Sequence, residues 1–157
     1  MGFMRYADTI NGTEGRAYTI IDGAREEMFY LKSIEAKAEK DKSEGKTLGK
    51  RGTQHKATGW KGSGSATLYY VTSKFRRMMR SYIKNGTDTY FDVQIVNEDP
   101  SSSAGRQTVI LRDVNLDSVI MARLDLNSDD PLDEDIDFTF EDIDILDSFN
   151  TPALSGD

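Results

Sequence analysis

The sequence predicts a mainly β fold with one α-helix, arranged as an antiparallel β-sandwich or barrel. Three observations lead to this fold class. About seven segments alternate apolar and polar residues as half-buried strands do, one segment has a helical period, and turn-forming residues separate most neighbouring strands. Hairpin connections build antiparallel sheets, whereas parallel sheets need long crossovers. We therefore expect one domain over residues 1–157, long enough to bury a core.

The first elements are an arm and a hairpin. Residues 1–15 sustain no apolar period and are predicted to form an N-terminal arm. Residues 16–21 and 24–39 are predicted to pair around the tight turn Asp22-Gly23. The residue types of the second member favour a helix, but its apolar residues fall on alternate positions, which indicates a strand.

A long basic loop is predicted over residues 40–54, which are rich in lysine and glycine and carry one aliphatic side chain, Leu48. Loops of this length in compact domains are usually functional or disordered. The following stretch 57–70, "ATGWKGSGSATLYY", has the period of a strand and not the composition of a linker. A glycine inside a strand marks a bend or the close approach of a ring or a second backbone, so Gly62 and Gly64 are candidate contact points.

Residues 72–86 are the one segment with a helical period. Phe75, Met78, Met79 and Tyr82 are three and four positions apart and share one face. A threonine or serine can cap the start of this helix, and an Asn-Gly pair ends it. The predicted outer face is basic and consists of Arg76, Arg77, Arg80 and Lys84.

The rest of the chain is predicted to be strands and turns. Strands are expected at 89–96, from 108 to about 126, and at 136–146. Aspartate and asparagine interrupt the middle of the second of these segments, so we expect a bulge or a turn there. Residues 127–135 are predicted to form an acidic turn, and 147–157 a C-terminal tail.

Composition limits the classes of function. The chain has no cysteine, which excludes disulfides and thiolate chemistry. No apolar run approaches the ~20 residues of a membrane span, and the N-terminal residues lack the apolar core of a signal peptide, so we expect a soluble protein made and kept in a cytoplasm. The hydrophobic fraction of 37% is low, which suits a thin fold or one that completes its burial by assembling.

The net charge of −7 is distributed unevenly. Residues 1–123 hold all 20 basic residues against 15 acidic ones, a net of +5. Residues 124–157 hold 12 acids and no base. This division suggests head-to-tail complementarity between copies or a negative surface with a purpose, and a merely solvated acidic end is an equal alternative.

No arrangement of residues predicts an active site, a cofactor site or a metal site. His55 is the only histidine, and a structural role for it is favoured. The acidic run that begins at Asp125 lacks the glycine and the final glutamate of a calcium loop. Asp142 and Asp144 would share a strand face, but no aromatic cleft of a glycosidase accompanies them.

Two stretches resemble the tail tube proteins of contractile phage tails. They are "INGTEGRAYTIIDG" (10–23) and "GKRGTQHKATGWKGSGSATLYYVTSKFRRM" (49–78). The likeness extends over nearly the whole chain and is closest to the tube proteins of defective prophages and phage-tail-like bacteriocins of Firmicutes. Its most specific part is the loop "LGKRG" together with the strand and helix that follow it.

The resemblance implies a structural subunit that is not an enzyme and needs no cofactor. In that family six copies close into a ring, strands of neighbouring copies join one inner barrel, and rings stack into a tube. A sheath surrounds the tube, and DNA or a tape-measure protein occupies its lumen. The chain would then be made in the cytoplasm of a bacterial host and act in a virion tail or tail-like particle. Its partners would be further copies, the sheath, the tape-measure, baseplate and terminator proteins, with DNA only as cargo and no membrane.

Two sets of candidate residues follow. Contacts between subunits or rings are expected in the basic loop and the next strand, at Lys42, Lys46, Leu48, Lys50, Arg51, His55, Trp60, Gly62 and Gly64. Carboxylates that would face the lumen and repel passing DNA phosphates are expected at Asp125, Asp137, Glu141, Asp142 and Asp144. The alternative for these acids is pairing with the basic part of the next subunit. The basic loop is expected to be mobile in the free monomer and ordered in the tube.

A nucleic-acid-binding β domain is the alternative function. Such a domain would use the basic stretch 40–61, including Trp60, and the arginine-rich helix 73–84. The net charge of −7 argues against this alternative, because nucleic-acid binding depends on neutralising phosphates.

Overall fold

A computed structural model describes residues 2–151 and 154–155. This part of the chain forms ten antiparallel β-strands, a short 3-10 helix (Tyr6–Asp8) and one α-helix, α1 (Lys74–Asn85). The strands are β1 (Phe3–Met4), β2 (Gly15–Ile21), β3 (Ala24–Glu27), β4 (Leu31–Gly45), β5 (Gln54–Tyr69), β6 (Phe91–Glu98), β7 (Arg106–Val119), β8 (Asp133–Phe140), β9 (Asp142–Asp147) and β10 (Leu154–Ser155). The predicted fold class, mainly antiparallel β with a single helix, is confirmed.

Strand β7 joins two sheets into a sandwich. The strand order is β3-β2-β6-β7-β8-β5-β4, and β9 also pairs with β7. The first half of β7 lies between β6 and β9, and its second half pairs with β8. The change of partner occurs at Asp113, which has a positive φ of 53°, and at a register shift between Phe91 and Val93 of β6. The bulge predicted in this region is confirmed.

The core lies between the two sheets and beneath α1. Leu68, Leu111 and Val114 are fully buried there. Helix α1 contributes Phe75, whose ring centroid lies 6.2 Å from that of Phe91 on β6. The helix is therefore fixed to the sandwich through Phe75, as its period predicts, whereas Tyr82 of the predicted apolar face is 54% exposed.

Two tight turns confirm the local predictions. Asp22 and Gly23 both have positive φ, 51° and 80°, as the favoured two-residue hairpin turn requires. Helix α1 ends at Gly86, which is left-handed with φ 69° and donates its amide to the carbonyl of Tyr82 at 2.9 Å.

Three predicted strand boundaries are wrong. The segment 24–39 is divided into β3 and β4 because the chain turns at Met28, whose amide bonds the Ala17 carbonyl at 2.8 Å and whose carbonyl accepts from Leu31 at 3.1 Å. The strand that starts near 108 ends at Val119, and 120–132 form an irregular loop with exposed leucines. The segment 136–146 is two strands, because the chain bends at Glu141.

The predicted loop 40–54 is also wrong in its extent. Residues 40–45 belong to β4, and β5 begins at Gln54, so only 46–53 connect the strands. The pairing continues from Lys40 opposite Trp60 to Gly45 opposite Gln54. Backbone hydrogen bonds between two strands need no apolar side chains, so the apolar pattern of the sequence does not reveal this part of the hairpin.

The predicted arm and tail meet each other. β1 in the arm pairs with β10 in the tail. Asp8 accepts a hydrogen bond of 3.0 Å from the Ser103 amide, and Asp99 accepts one of 3.1 Å from the Asn11 amide. These two buried carboxylates therefore attach the arm to the loop between β6 and β7.

Candidate assembly surfaces

A protruding hairpin is the most prominent surface feature. Strand β8 pairs with β5 only from Gly62 to Tyr69, so in the described chain residues 39–45 and 54–61 pair only with each other. Every residue from 39 to 61 is exposed except Gln54, which is half-buried. A two-stranded hairpin without further cover is marginally stable in water, so this one is suited to being completed by a partner.

The end of the hairpin brings together six of the nine residues predicted for inter-subunit contacts, namely Lys42, Lys46, Leu48, Lys50, Arg51 and His55. Leu48 is fully exposed at the tip. His55 Nδ1 lies 3.9 Å from Glu44 Oε1 across the hairpin. The other three predicted residues, Trp60, Gly62 and Gly64, lie nearer to the core of the sandwich.

Trp60, Gly62 and Gly64 contact aromatic rings of their own chain. Gly62 is opposite Phe140 and Gly64 is opposite Phe138 in the pairing of β5 with β8. A methyl group on either glycine would lie 2.5 Å and 2.4 Å, respectively, from the ring it faces. The ring of Trp60, which is 45% exposed, has its centroid 6.0 Å from that of Phe140. Contacts within the chain thus explain why both positions are glycine, because the rings occupy the space that side chains would need.

The five carboxylates predicted for the lumen do not lie on one surface. Asp125 is in the loop 120–132, Asp137 is on β8, Glu141 is at the bend, and Asp142 and Asp144 are on β9. They are therefore distributed over two sheets and one loop.

Asp144 is engaged in a local ion network. Its Oδ2 accepts from Arg112 Nε at 2.9 Å, and Arg112 Nη1 also donates to Asp92 Oδ2 at 2.9 Å. The hydrogen bond to Asp144 and then the one to Asp92 raise the pKa of Arg112 above its ordinary value. This network crosses β6, β7 and β9, so the charge of Asp144 is balanced within the chain.

One face of the sheet β7-β8-β5-β4 is polar along its whole width, and we name it the polar sheet face. Its residues are Glu35, Lys37, Ser63, Ser65, Thr67, Asn115, Asp117, Ser118, Asp135, Asp137 and Thr139. Thr67 Oγ1 donates to Asp135 at 2.7 Å, and Ser118 Oγ donates to Asp137 at 2.9 Å. Small hydroxyl side chains and carboxylates therefore cover this surface, and the exposed ring of Tyr69 is the next residue on the same side of β5.

Sequence reasoning found only Asp137 among the acids of this face and missed Glu35, Asp117 and Asp135. A signal was present: Ser63, Ser65 and Thr67 alternate with residues that face the core. The acids of β8 alternate in the same way with buried Ile136, Phe138 and Phe140. Pairing the polar positions of the two strands would have assembled this face.

Helix α1 does not present Arg76 to solvent, so that prediction is wrong. The Arg76 guanidinium bonds the carboxylate of Glu134 and the carbonyl of Thr72, and it lies 4.3 Å from the centre of the Tyr70 ring. Glu134 is only 1% exposed. Burial raises the pKa of Glu134, and the positive charge of Arg76 opposes that shift. The basic face of α1 is thus reduced to Arg77, Arg80 and Lys84.

Two further features of the described residues bear on function. Among residues 2–151 and 154–155, no group of three or more histidines, aspartates and glutamates is placed to hold a metal ion. In the same part of the chain, no helix has the length and apolar character needed to cross a membrane.

The fold is similar to that of chains in contractile tail-like particles. It is similar, with a TM-score of 0.66, to a chain of the PVC sheath-tube complex in its extended state, over 87% of this chain and 90% of that one at 11% identity. It is also similar, with a TM-score of 0.65, to a chain of the anti-feeding prophage baseplate, over 85% and 92% at 12% identity.

The chain belongs to the phage tail tube protein family DUF2001, whose model matches residues 2–147. It is 48% identical to XkdM, a protein of the phage-like element PBSX of Bacillus subtilis (strain 168), over 90% of this chain and 93% of that protein. The resemblance stated from the sequence is therefore confirmed. The family is one of structural tail proteins and is typically non-enzymatic.

Proposed function

We propose that this chain is the subunit of a self-assembling tail tube. Copies close into rings, six to a ring as the family resemblance implies, and the rings stack into a conduit for DNA or a tape-measure protein. The observation that carries this proposal is the polar sheet face, which becomes the wall of the bore. The chain acts as a structural part of a phage tail or tail-like particle and is made in the bacterial host.

The chemistry of the polar sheet face suits a conduit. Glu35, Asp117, Asp135 and Asp137 give it four carboxylates against one base, Lys37. Negative groups repel DNA phosphates, whereas proteins that hold DNA supply bases. None of the residues that define this face is aromatic, and Tyr69, the next residue after Thr67 on the same side of β5, is the one ring beside them for a base to stack on. Of the acids first expected in the lumen, Asp137 keeps that assignment.

The edges of the sheets suit ring closure. Strand β9 pairs only with β7 in the described chain, so its other edge is open. Ile143 and Ile145 of β9 lie opposite core-facing residues of β7, yet they are 40% and 59% exposed. An open edge with exposed apolar residues is an aggregation liability unless a partner covers it. A neighbouring copy in the ring supplies that cover in this proposal.

Other tail proteins complete the particle. Similar chains occur in a complex of sheath with tube and in a baseplate. In this proposal, as the family resemblance implies, the assembled tube lies inside a sheath, contacts baseplate and terminator proteins, and contains a tape-measure protein.

Electron microscopy of the concentrated pure protein tests the proposal. We expect rings or tubes of uniform width, with the polar sheet face on the bore in a reconstructed map. Monomers that persist at high concentration and across salt conditions would contradict it. A map in which this face points away from the bore would contradict the assignment of the wall.

The charge of the bore has its own test. We expect tubes of Asp137→Lys to retain double-stranded DNA at low salt and to release it as salt is raised, because a base on the wall binds phosphate. Glu27→Lys is the matched control, since Glu27 is exposed on β3 of the other sheet and makes no ion pair in the described chain. Equal DNA retention by both variants would contradict the assignment.

A further inference from the structure

The protruding hairpin and the irregular loop 120–132 lie at opposite ends of one strand. Strand β5 has 16 residues from Gln54 at the hairpin to Tyr69, so the two ends are separated by about 50 Å at roughly 3.3 Å per residue. The loop is attached at the far end, where the Tyr70 amide bonds the Leu132 carbonyl at 2.9 Å. The hydroxyl of Tyr70 also accepts from the Arg123 amide at 3.2 Å. One copy therefore cannot bring these two surfaces together.

The hairpin tip, residues 46–56, carries positive charge that its own chain does not balance. It has four basic residues and no acid. None of Lys46, Lys50, Arg51 and Lys56 forms an ion pair with any residue that the structure describes. The fully exposed Leu48 lies among them. The tip is thus a basic surface with one apolar side chain near its centre.

The loop 120–132 has the complementary composition. Residues 121–131 are all exposed, and Leu124 and Leu126 are 80% and 86% exposed. Asp125, Asp129 and Asp130 make no ion pair within the described residues. The one base of the loop, Arg123, is occupied, because its Nη1 donates to the Asp133 carbonyl at 3.0 Å and lies 3.8 Å from the Asp133 carboxylate.

We propose that the hairpin tip of one copy docks on the loop 120–132 of a copy in the next ring. Leu48 packs against the exposed leucines of that loop, and the bases of the tip face its three aspartates. Opposite charge at opposite ends of β5 makes this a head-to-tail contact, which repeats without closing and so builds a stack. This inference rests on the proposed function and names the partner surfaces of the stacking step.

Charge reversal tests the pairing. Lys50→Glu with Arg51→Glu places two acids at the tip, where they face the aspartates of the loop, and Asp129→Lys with Asp130→Lys places two bases in the loop, where they face the bases of the tip. Each double variant alone is expected to raise the critical concentration for tube formation at least about tenfold, because like charges then face each other. Equimolar mixing of the two should restore tubes, and the fourfold variant in one chain should do the same. Assembly is followed by sedimentation and electron microscopy.

Two measurements distinguish a stacking defect from a folding defect. They also distinguish failure of the pairing from failure of the proposed function. The thermal unfolding midpoint of each monomer shows whether the variant folds; it should remain that of wild type, because all four positions are exposed and lie outside strands and helices. Arg77→Glu with Arg80→Glu, on exposed positions of α1, is the matched control and should assemble as wild type does. If folded double variants assemble as well as wild type, or if mixing restores nothing, the pairing is overturned while wild-type tubes still support the proposed function. If wild type itself forms no tubes, the proposed function is overturned and the pairing with it.

Discussion

Phe138 lies over Gly64 so closely that a methyl group on the glycine would be 2.4 Å from Cζ of the ring. The backbone oxygen of Glu35 on β4 would be 2.6 Å from the same methyl group. A side chain at position 64 therefore has no space on either side of β5 and must displace a core ring or a neighbouring strand. The core of the sandwich depends on this glycine independently of any partner.

We predict that Gly64→Val destabilises the isolated monomer by about 3 kcal/mol, the upper range for overpacking a core. Urea unfolding of the monomer measures the change. Gly59→Val is the control on the same strand, because a side chain there meets nothing within 4 Å; its free energy of unfolding should stay within about 0.5 kcal/mol of wild type. A Gly64→Val monomer of normal stability that fails only in assembly would instead assign the glycine to a neighbour's contact.

Turns, helix ends and strand alternation were the features that the sequence predicted well. The positive-φ turn at Asp22-Gly23 and the end of α1 at Gly86 follow from residues that tolerate those conformations, whatever surrounds them. The alternation of β5 and β8 likewise predicted strands. These features depend on a few neighbouring residues, and so they could be predicted without the fold.

Contacts between residues that are far apart along the chain could not be predicted from the sequence. The outer hairpin has no apolar stripe, so its strands at 40–45 were predicted as loop. Arg76 has the spacing of an exposed helix residue, and only the position of Glu134 on β8 shows that it points inward. The acids of the polar sheet face come from different strands and are adjacent only after folding, so one of the four was predicted. Each failure concerns a partner distant in sequence.

We predict that Arg76→Ala destabilises the monomer by about 3 kcal/mol, because it leaves Glu134 buried without its positive partner. Denaturant unfolding at neutral pH measures the change. Arg77→Ala is the matched control, since Arg77 is exposed and forms no ion pair in the described chain. The prediction is contradicted if the two substitutions have equal effects.

The loss of stability in Arg76→Ala should depend on pH. Burial raises the pKa of Glu134, so the folded state binds this proton more tightly than the unfolded state, whose value is near 4.5. The stability that protonated Glu134 contributes is therefore lost as pH rises from the pKa of the unfolded state through the pKa of the folded state. Removal of Arg76 takes away the positive charge that opposes this shift, so the pKa of Glu134 rises further. The stability difference between Arg76→Ala and wild type should shrink as pH is lowered from 7 to 4, and a constant difference would contradict this account.

Asp8 and Asp99, the carboxylates that attach the arm, should give the stability of the protein the opposite pH dependence. Hydrogen bonds from Ser103 lower the pKa of Asp8, and those from the Ser101 side chain, the Asn11 amide and the Ser101 amide lower the pKa of Asp99. A lowered folded pKa gives stability that is present above the unfolded value of 3.8 and is lost as pH falls through the folded value.

Asp99→Asn should therefore unfold more easily than wild type at pH 7, and the difference should disappear as pH falls below 3.8. Thermal unfolding from pH 7 to pH 2.5 measures it. Asp129→Asn is the control, because Asp129 is exposed and makes no side-chain hydrogen bond with the described residues. Parallel curves for Asp99→Asn and wild type over this range would refute the attachment.

The protruding hairpin should exchange its amide hydrogens quickly in the monomer and slowly in the tube. Residues 39–61 have no third strand beside them in the described chain, and such hairpins open readily. Hydrogen exchange measured on both states by mass spectrometry tests this, with β6 in the middle of its sheet as the internal control. Protection of the hairpin equal to that of β6 in the monomer would contradict the prediction.

Deletion of residues 43–52 separates a structural role of the hairpin from an assembly role. The segment contains the connection 46–53 except for its last residue, and it contributes nothing to the buried core. We therefore expect the shortened chain to keep the unfolding midpoint of wild type, because loop length alters stability only weakly. It should nevertheless fail to form tubes, since stacking loses the contact that the hairpin tip makes with the next ring. Sedimentation and electron microscopy at matched concentration decide the question: tubes of normal length from the shortened chain would show that the hairpin has no part in assembly.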